Sequence, residues 1–195
     1  MTIKDAFNNS IKVPFFAPDV TDQDRKIVFN ALKSPLLTDG PILRRFEEKF
    51  ASYIGSKYAV GVSNATSALH LSLRALGIGK NDEVIIPDMT FVATASSVIL
   101  AGATPVLADI NYDDLNISPN SIENSLTSKT KAIIPVHFAG KSCDMNAIKR
   151  IAKKHSLFIV EDCAHALGTR FAGKHVGTFG DVGCFSFYPT KNITT

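Results

Sequence analysis

The sequence predicts an α/β fold in which a mostly parallel sheet carries helices on both faces. Three observations point to it. From residue 58 onward, short runs rich in Val and Ile alternate with helix-length runs, as in "EVIIP" followed by "FVATASSVILA". These strand-like runs are apolar almost throughout, which is how a strand reads when both of its faces are covered. Finally, 195 residues, 45% hydrophobic and 20% charged, suffice to bury a substantial core.

Two helices come first. Thr21 suits the N-cap of a helix running through Leu32, and Gly40-Pro41 opens a second one, with Leu43, Phe46, Phe50 and Ile54 at helical spacing and Gly55 as its stop. Residues 1–57 therefore read as an N-terminal helical segment and residues 58–195 as the α/β part. Within the latter, strand "YAVGV" precedes helix "SALHLSLRAL", and "EVIIP" precedes "FVATASSVILA". Strand "TPVLAD" then leads to helix "PNSIENSL", "KAIIPVHF" to "MNAIKRIAKKH", and "LFIVED" closes the series. After Asp162 the rhythm changes: "RFAGKHVG" reads as a small hairpin and "DVGCFSF" as one more strand before a terminal loop.

Composition narrows the function. The net charge of +3 is small, and helical spacing puts Lys149-Arg150 and Lys153-Lys154 on a solvated face, so nucleic acid is not an expected partner. "MTIKDAFNNS" contains no apolar run of the signal-peptide kind, and Cys143, Cys163 and Cys184 form no C-x-x-C pair. A reducing cytoplasm is the expected compartment. The weakly polar run from Thr90 to Ala108 is divided by Gly102 and Pro105 into a helix-sized and a strand-sized piece, so no membrane span is expected.

Ligands of an open parallel sheet bind outside the carboxyl ends of its strands. After "YAVGV", Ser63-Asn64-Ala65-Thr66-Ser67 leads into a helix whose free N–H groups and hydroxyls suit a phosphate. The pattern is neither a Walker A loop nor G-x-G-x-x-G, and a plain helix cap by Thr66 or Ser67 also accounts for it. After "LFIV" comes Glu161-Asp162-Cys163-Ala164-His165. A carboxylate ending a central apolar strand is costly to bury without a cation or strong donor, so Asp162 needs a partner. A structural ion pair would serve. A metal held by Asp162, Cys163 and His165, with His137, is disfavoured: alternation sends Asp162 and Cys163 to opposite faces, and the spacing matches no zinc pattern. A ligand with a protonated ring nitrogen would satisfy Asp162 well. Ser186 and Lys191 lie five apart across a strand end and a turn containing Pro189. A lysine beside a cationic or apolar pocket can lose its proton and form a Schiff base with an aldehyde. Phosphate donors, a buried Asp, an aromatic face and a lysine, each at a different strand end, are the parts that pyridoxal 5'-phosphate needs.

In these motifs the chain resembles the sugar aminotransferases of the DegT/DnrJ/EryC1/StrS family. The likeness runs from "VPFFAPDV" to the last residue and includes "LTDGPILRRFEEKFASYIG", "SNATSALHLSLRALGIGKNDEVIIPDMTFVATA", "TKAIIPVHFAGKSCDM", "EDCAHALG" and "GTFGDVGCFSFYPTKN". It implies the aspartate-aminotransferase-like large domain (fold type I), truncated before a small C-terminal domain, with pyridoxal phosphate as cofactor. Lys191 matches the family's Schiff-base lysine and Asp162 the acidic partner of the pyridinium nitrogen. Phe91 matches the aromatic stacked on the ring; by its place on a helix alone it would read as core. Thr66, Ser67 and Ser186 match positions around the phosphate, with Ala65 at the same helix start. His165 stands beside the ring hydroxyl, where many members have Gln; a His there looks like members that aminate C4 of a keto sugar. Hydrogen bonding within the core is its other reading.

The resemblance further implies that glutamate donates the amine, that a nucleotide-linked keto sugar accepts it for cell-surface or secondary-metabolite glycans, and that the full-length protein is a homodimer. Pyridoxal-dependent sugar dehydratases of this kind replace the lysine, often with His, so Lys191 argues against that activity. The family's chains continue past this lysine through a glycine-rich stretch into the smaller domain, so the 195 residues are expected to be an N-terminal half. A truncated, non-catalytic fragment that binds cofactor or a partner, in a regulatory role, is the other expectation.

Overall fold

The computed structural model describes residues 2–4, 10–12 and 17–194. Two three-residue strands, β1 (Thr2–Lys4) and β2 (Ser10–Lys12), pair antiparallel at the start, an element that sequence alone does not indicate. Helix α1 (Asp22–Ala31) begins with a capping box in which Thr21 and Asp24 satisfy each other's backbone N–H groups, and none of its residues is buried. Helix α2 (Pro41–Ile54) has Pro at its first turn and ends on Gly55, whose φ of 78° is a left-handed conformation that suits glycine. The inner face of α2 sets Phe46 edge-on to Phe187 at 5.2 Å and Phe50 edge-on to Phe185 at 5.1 Å. Helix α2 thereby braces the segment that leads to Lys191.

The expected strand "YAVGV" does not form. Among the described residues, Tyr58 to Val62 enter no ladder, and Tyr58 and Val60 stay 73% and 78% exposed. Alternating β-propensity needs a neighbouring strand to become a strand, and here the segment is tied instead by the Gly61 N–H, which donates to Glu47 Oε1 at 2.7 Å, and by the Ser56 hydroxyl, which donates to the Tyr58 carbonyl at 2.8 Å.

The remaining order follows the sequence closely: α3 (Ala65–Ala75), β3 (Glu83–Pro87), α4 (Val92–Leu100), β4 (Thr104–Ala108), α5 (Pro119–Asn124), β5 (Thr130–Ile133), α6 (Met145–His155) and β6 (Phe158–Asp162). The small hairpin of β7 (Arg170–Phe171) and β8 (Lys174–His175) comes next, and β9 (Val182–Cys184) closes the series. Five strands form one sheet in the order β4-β3-β5-β6-β9, and every adjacent pair is parallel. Strand β5 stops at Ile133 because Pro135 has no N–H to give a ladder, although its carbonyl still accepts from the Asp162 N–H.

Alternation along the strands divides the core in two. Val84, Ile86, Ile134, Val160 and Cys184 face α3 and α4, meeting Leu69, Leu73 and Val98. Ile85, Ile133 and Ile159 face the other way, onto Ile122 of α5 and Met145, Ile148 and Ile151 of α6. Lys149, Arg150, Lys153 and Lys154 lie on the exposed side of α6, as the spacing predicts. The architecture is thus the expected mostly parallel sheet covered on both faces, with the carboxyl ends of β3, β6 and β9 opening at one rim.

Strand β9 runs against the loop before it, where a Cβ on Gly183 would collide with the Gly177 carbonyl and Cα. The obstruction is backbone and cannot swing aside. Gly183→Ala should therefore cost about 1–3 kcal/mol through overpacking, seen as a lower urea midpoint with an unchanged slope.

Candidate active site

At the start of α3, the helix cap is Asn64, whose Oδ1 accepts the Ser67 N–H at 2.8 Å, rather than Thr66 or Ser67. The Ser63 and Ser67 hydroxyls lie 3.0 Å apart. Among the described residues, the N–H groups of Ala65 and Thr66 have no hydrogen-bond partner. Two open donors, nearby hydroxyls and the positive end of the helix dipole make this start suited to an anion.

Phe91 is the N-cap of α4 and is 72% exposed. It is not a core residue, and its ring is available to a ligand. One turn on, Thr94 is fully buried and donates its hydroxyl to Asp162 Oδ2 at 3.0 Å, while the Ala164 N–H donates to Oδ1 at 3.1 Å. Burial pushes the Asp162 carboxyl above the usual range, against the opposing pull of the Ala164 and Thr94 hydrogen bonds and the more distant His165 and His137. Among the described residues the carboxylate thus has two neutral donors and no bonded cation, fewer than its lone pairs can accept. A protonated ring nitrogen would supply what this environment lacks, so the site fits the group that the sequence implies.

His165 is half-buried, edge-on to Phe138 at 6.2 Å. Burial holds its pKa below the ordinary imidazole value; the charge of Lys191 adds to that and the charge of Asp162 opposes it. His165 therefore lies within electrostatic reach of both Lys191 and Asp162. Lys191 sits in a turn closed by its own N–H, which donates to the Tyr188 carbonyl at 2.8 Å. Ser186 Oγ, half-buried at the exit of β9, accepts the Tyr188 N–H at 3.4 Å. The structure thus brings the starts of α3 and α4, the end of β6 and the turn after β9 to one rim of the sheet.

Behind this rim lies an arrangement that sequence reading does not anticipate. Glu161 points to the opposite face from Asp162 and is wholly buried. It accepts from the Gly177, Phe179 and Gly180 N–H groups, each at 2.7 Å, and from His137 Nε2 at 3.0 Å. His137 Nδ1 accepts the Cys143 N–H at 3.1 Å, so Nε2 carries the hydrogen. Burial raises the Glu161 pKa, but these donors outweigh it and hold the carboxyl below the usual range. Cys163 Sγ shares this face, within 4.8 Å of the His137 and Glu161 ligand atoms. Both His137 nitrogens and both Glu161 oxygens are already committed to hydrogen bonds, so the pair, with the backbone groups it binds, is a hydrogen-bonded latch. Sequence reading meets Glu161 only as part of the strand end and His137 only as a disfavoured metal ligand, and does not single out Thr90 or Thr94; the repeated Thr at four-residue spacing in "TFVAT" is the one signal that could have found these two.

The model of the DegT/DnrJ/EryC1/StrS aminotransferase family matches residues 18–195. The spore coat polysaccharide biosynthesis protein SpsC of Bacillus subtilis (strain 168) is 46% identical over 94% of this chain and 47% of its own length. GDP-perosamine synthase of Escherichia coli O157:H7 is 44% identical over 94% of this chain and 50% of its own. Among solved structures, ntda from Bacillus subtilis with bound cofactor PMP superposes with a TM-score of 0.86 at 36% identity, covering 96% of this chain and 44% of that one. The chain spans about half the length of the curated relatives that it matches.

A raised aspartate pKa has a consequence for stability. Above its raised value the ionised Asp162 costs the cofactor-free fold stability, and the cost fades as pH falls below the ordinary aspartate value. Asp162→Asn, which keeps the shape and removes the charge, should raise the melting temperature of the cofactor-free protein at neutral pH. The gain should shrink in acid, as calorimetry across pH would show.

Proposed function

Because the chain belongs to the DegT/DnrJ/EryC1/StrS aminotransferase family, we propose that it forms the cofactor-holding part of a pyridoxal-phosphate-dependent aminotransferase that transfers the amino group of glutamate to C4 of a nucleotide-linked keto sugar. The observation that carries this reading is the buried, under-satisfied carboxylate of Asp162 at the same rim as Lys191. The printed names of relatives support the substrate class: one is a GDP-linked sugar synthase and another a protein of spore coat polysaccharide biosynthesis. Three free, buried cysteines suit a reducing cytoplasm. The exposed Ile27 and Val28 of α1 and Leu32 just beyond it suit a homodimer of the longer protein.

The N–H groups of Ala65 and Thr66, with the hydroxyls of Thr66, Ser67 and Ser186, would hold the cofactor phosphate. Phe91 would lie on the ring face, His165 would hydrogen-bond the ring hydroxyl as a neutral imidazole, and Lys191 would anchor the aldehyde carbon. When bound, pyridoxal phosphate supplies a ring that accepts electron density from the carbon losing its proton. Asp162 serves that chemistry by keeping a proton on the ring nitrogen. Lys191, once free, would take the proton from the α-carbon of the donor and deliver it to the carbon on the other side of the shared amine nitrogen, base first and acid second. The second half-reaction runs the same proton transfer in reverse on the keto sugar.

Borohydride reduction of the cofactor-loaded protein that contains this chain should fix the cofactor on Lys191, as located by mass spectrometry. A label on a different lysine, or none, would overturn the site. Replacing Asp162 with Asn removes a charge-assisted contact worth roughly 1.5–3 kcal/mol, so the half-reaction with glutamate should slow at least about tenfold. An unchanged rate would make Asp162 structural.

A further inference from the structure

Asp162 is held by donors from two separate elements. Oδ1 accepts from the Ala164 N–H just beyond its own strand, and Oδ2 accepts from the Thr94 hydroxyl on α4. With both oxygens tied, the carboxyl plane cannot rotate freely. The Thr94 hydroxyl in turn lies 2.7 Å from that of Thr90, one turn back. An ionised carboxylate only accepts, and a threonine has a single hydroxyl hydrogen. Thr94 must therefore spend its hydrogen on Asp162, and its oxygen must accept from Thr90. The direction of both bonds is fixed whenever Asp162 is charged.

This wire is not needed to fold α4. Thr94 already donates its N–H to the Phe91 carbonyl, and its carbonyl accepts the Ser97 hydroxyl. A hydroxyl in a fully buried position carries a desolvation cost that an apolar side chain of equal shape would avoid. Among the described residues, its hydroxyl partners are Asp162 and Thr90. The same helix turn presents Phe91, so one short segment sets both the face and the edge at which a ring would be received.

We propose that Thr94, oriented by Thr90, is the positioning residue that fixes the Asp162 carboxylate as the acceptor for the ring nitrogen of the cofactor. The proposal rests on the pyridoxal phosphate reading above. A hydrogen bond to the charged form favours that form, and hydroxyl-to-carboxylate bonds are among the stronger ones. Without the Thr94 hydroxyl the carboxylate would lose one of its two donors and be free to turn away from the ring.

The test compares pyridoxal phosphate with its analogue in which carbon replaces the ring nitrogen, using dissociation constants from equilibrium dialysis of the protein containing this chain. Wild type should prefer the natural cofactor. Thr94→Val, isosteric but without the hydroxyl, should reduce that preference about tenfold, whereas Thr94→Ser should restore it to within about threefold of wild type. Thr90→Val should lose part of the preference, and the Thr90→Val/Thr94→Val double variant should lose no more than Thr94→Val alone, because Thr90 acts through Thr94. Equal weakening of both compounds by Thr94→Val would show a merely structural threonine and overturn the proposal, as would an unchanged preference or additive losses in the double variant. If wild type binds neither compound, the cofactor reading fails instead.

Discussion

Glu161 is a charged group with no access to water, and four donors from separate parts of the chain converge on it: the His137 imidazole after β5 and three backbone N–H groups between β8 and β9. A buried carboxylate tolerates such a position only if every donor stays in place. The constraint therefore runs outward. It fixes the loop that delivers β9 beside β6, and through His137 Nδ1 it fixes the backbone at Cys143, ahead of α6. Gly177 can take part because its φ of 85° turns the N–H toward Glu161 in a conformation open to glycine. The segment downstream of β9, with Ser186 and Lys191, is placed by this latch together with the α2 aromatics that pack on Phe185 and Phe187.

The next residue on the strand lives under the opposite rule. Asp162 faces α4 with two neutral donors, and burial leaves its pKa raised where that of Glu161 is lowered. Two adjacent carboxylates with opposite electrostatic fates follow from the two-residue period of a strand, which sends one away from α4 and the other toward it. The carboxylate with four donors builds the scaffold, and the one with two neutral donors is the one to which the proposed function assigns chemistry, a division common at functional sites.

Much of the fold was legible because its signals are local. The capping Thr21, the Gly40-Pro41 start, the Gly55 stop and the apolar period of Met145 to His155 each specify an element without reference to anything distant. The run "YAVGV" misled because its alternation is real but a strand is a property of a pair. In the candidate site, Asp162 stood out through its cost of burial and Lys191 through its chemistry. Phe91 needed the motif around it, since a Phe on a helix more often packs inward than sits 72% exposed. Glu161 and His137 were hidden because they are 24 positions apart, and nothing in either neighbourhood says that they meet. Thr94 was hidden for the same reason, its partner lying 68 positions away.

The three thiols acquire a different meaning once their surroundings are known. Cys143, Cys163 and Cys184 are all free and buried, and burial, the foremost cause, pushes each thiol upward, Cys184 to about 12. Since the thiolate is the reactive form, an alkylating reagent meets an inert molecule until some part of it opens. Cys143 lies at the entry to α6, Cys163 beneath the loop of Gly177, and Cys184 under α3, its sulfur 3.5 Å from the Ser72 hydroxyl. The protein therefore carries its own set of clocks: the order in which the three become modified records the order in which the far face, the latch and the α3 layer come apart.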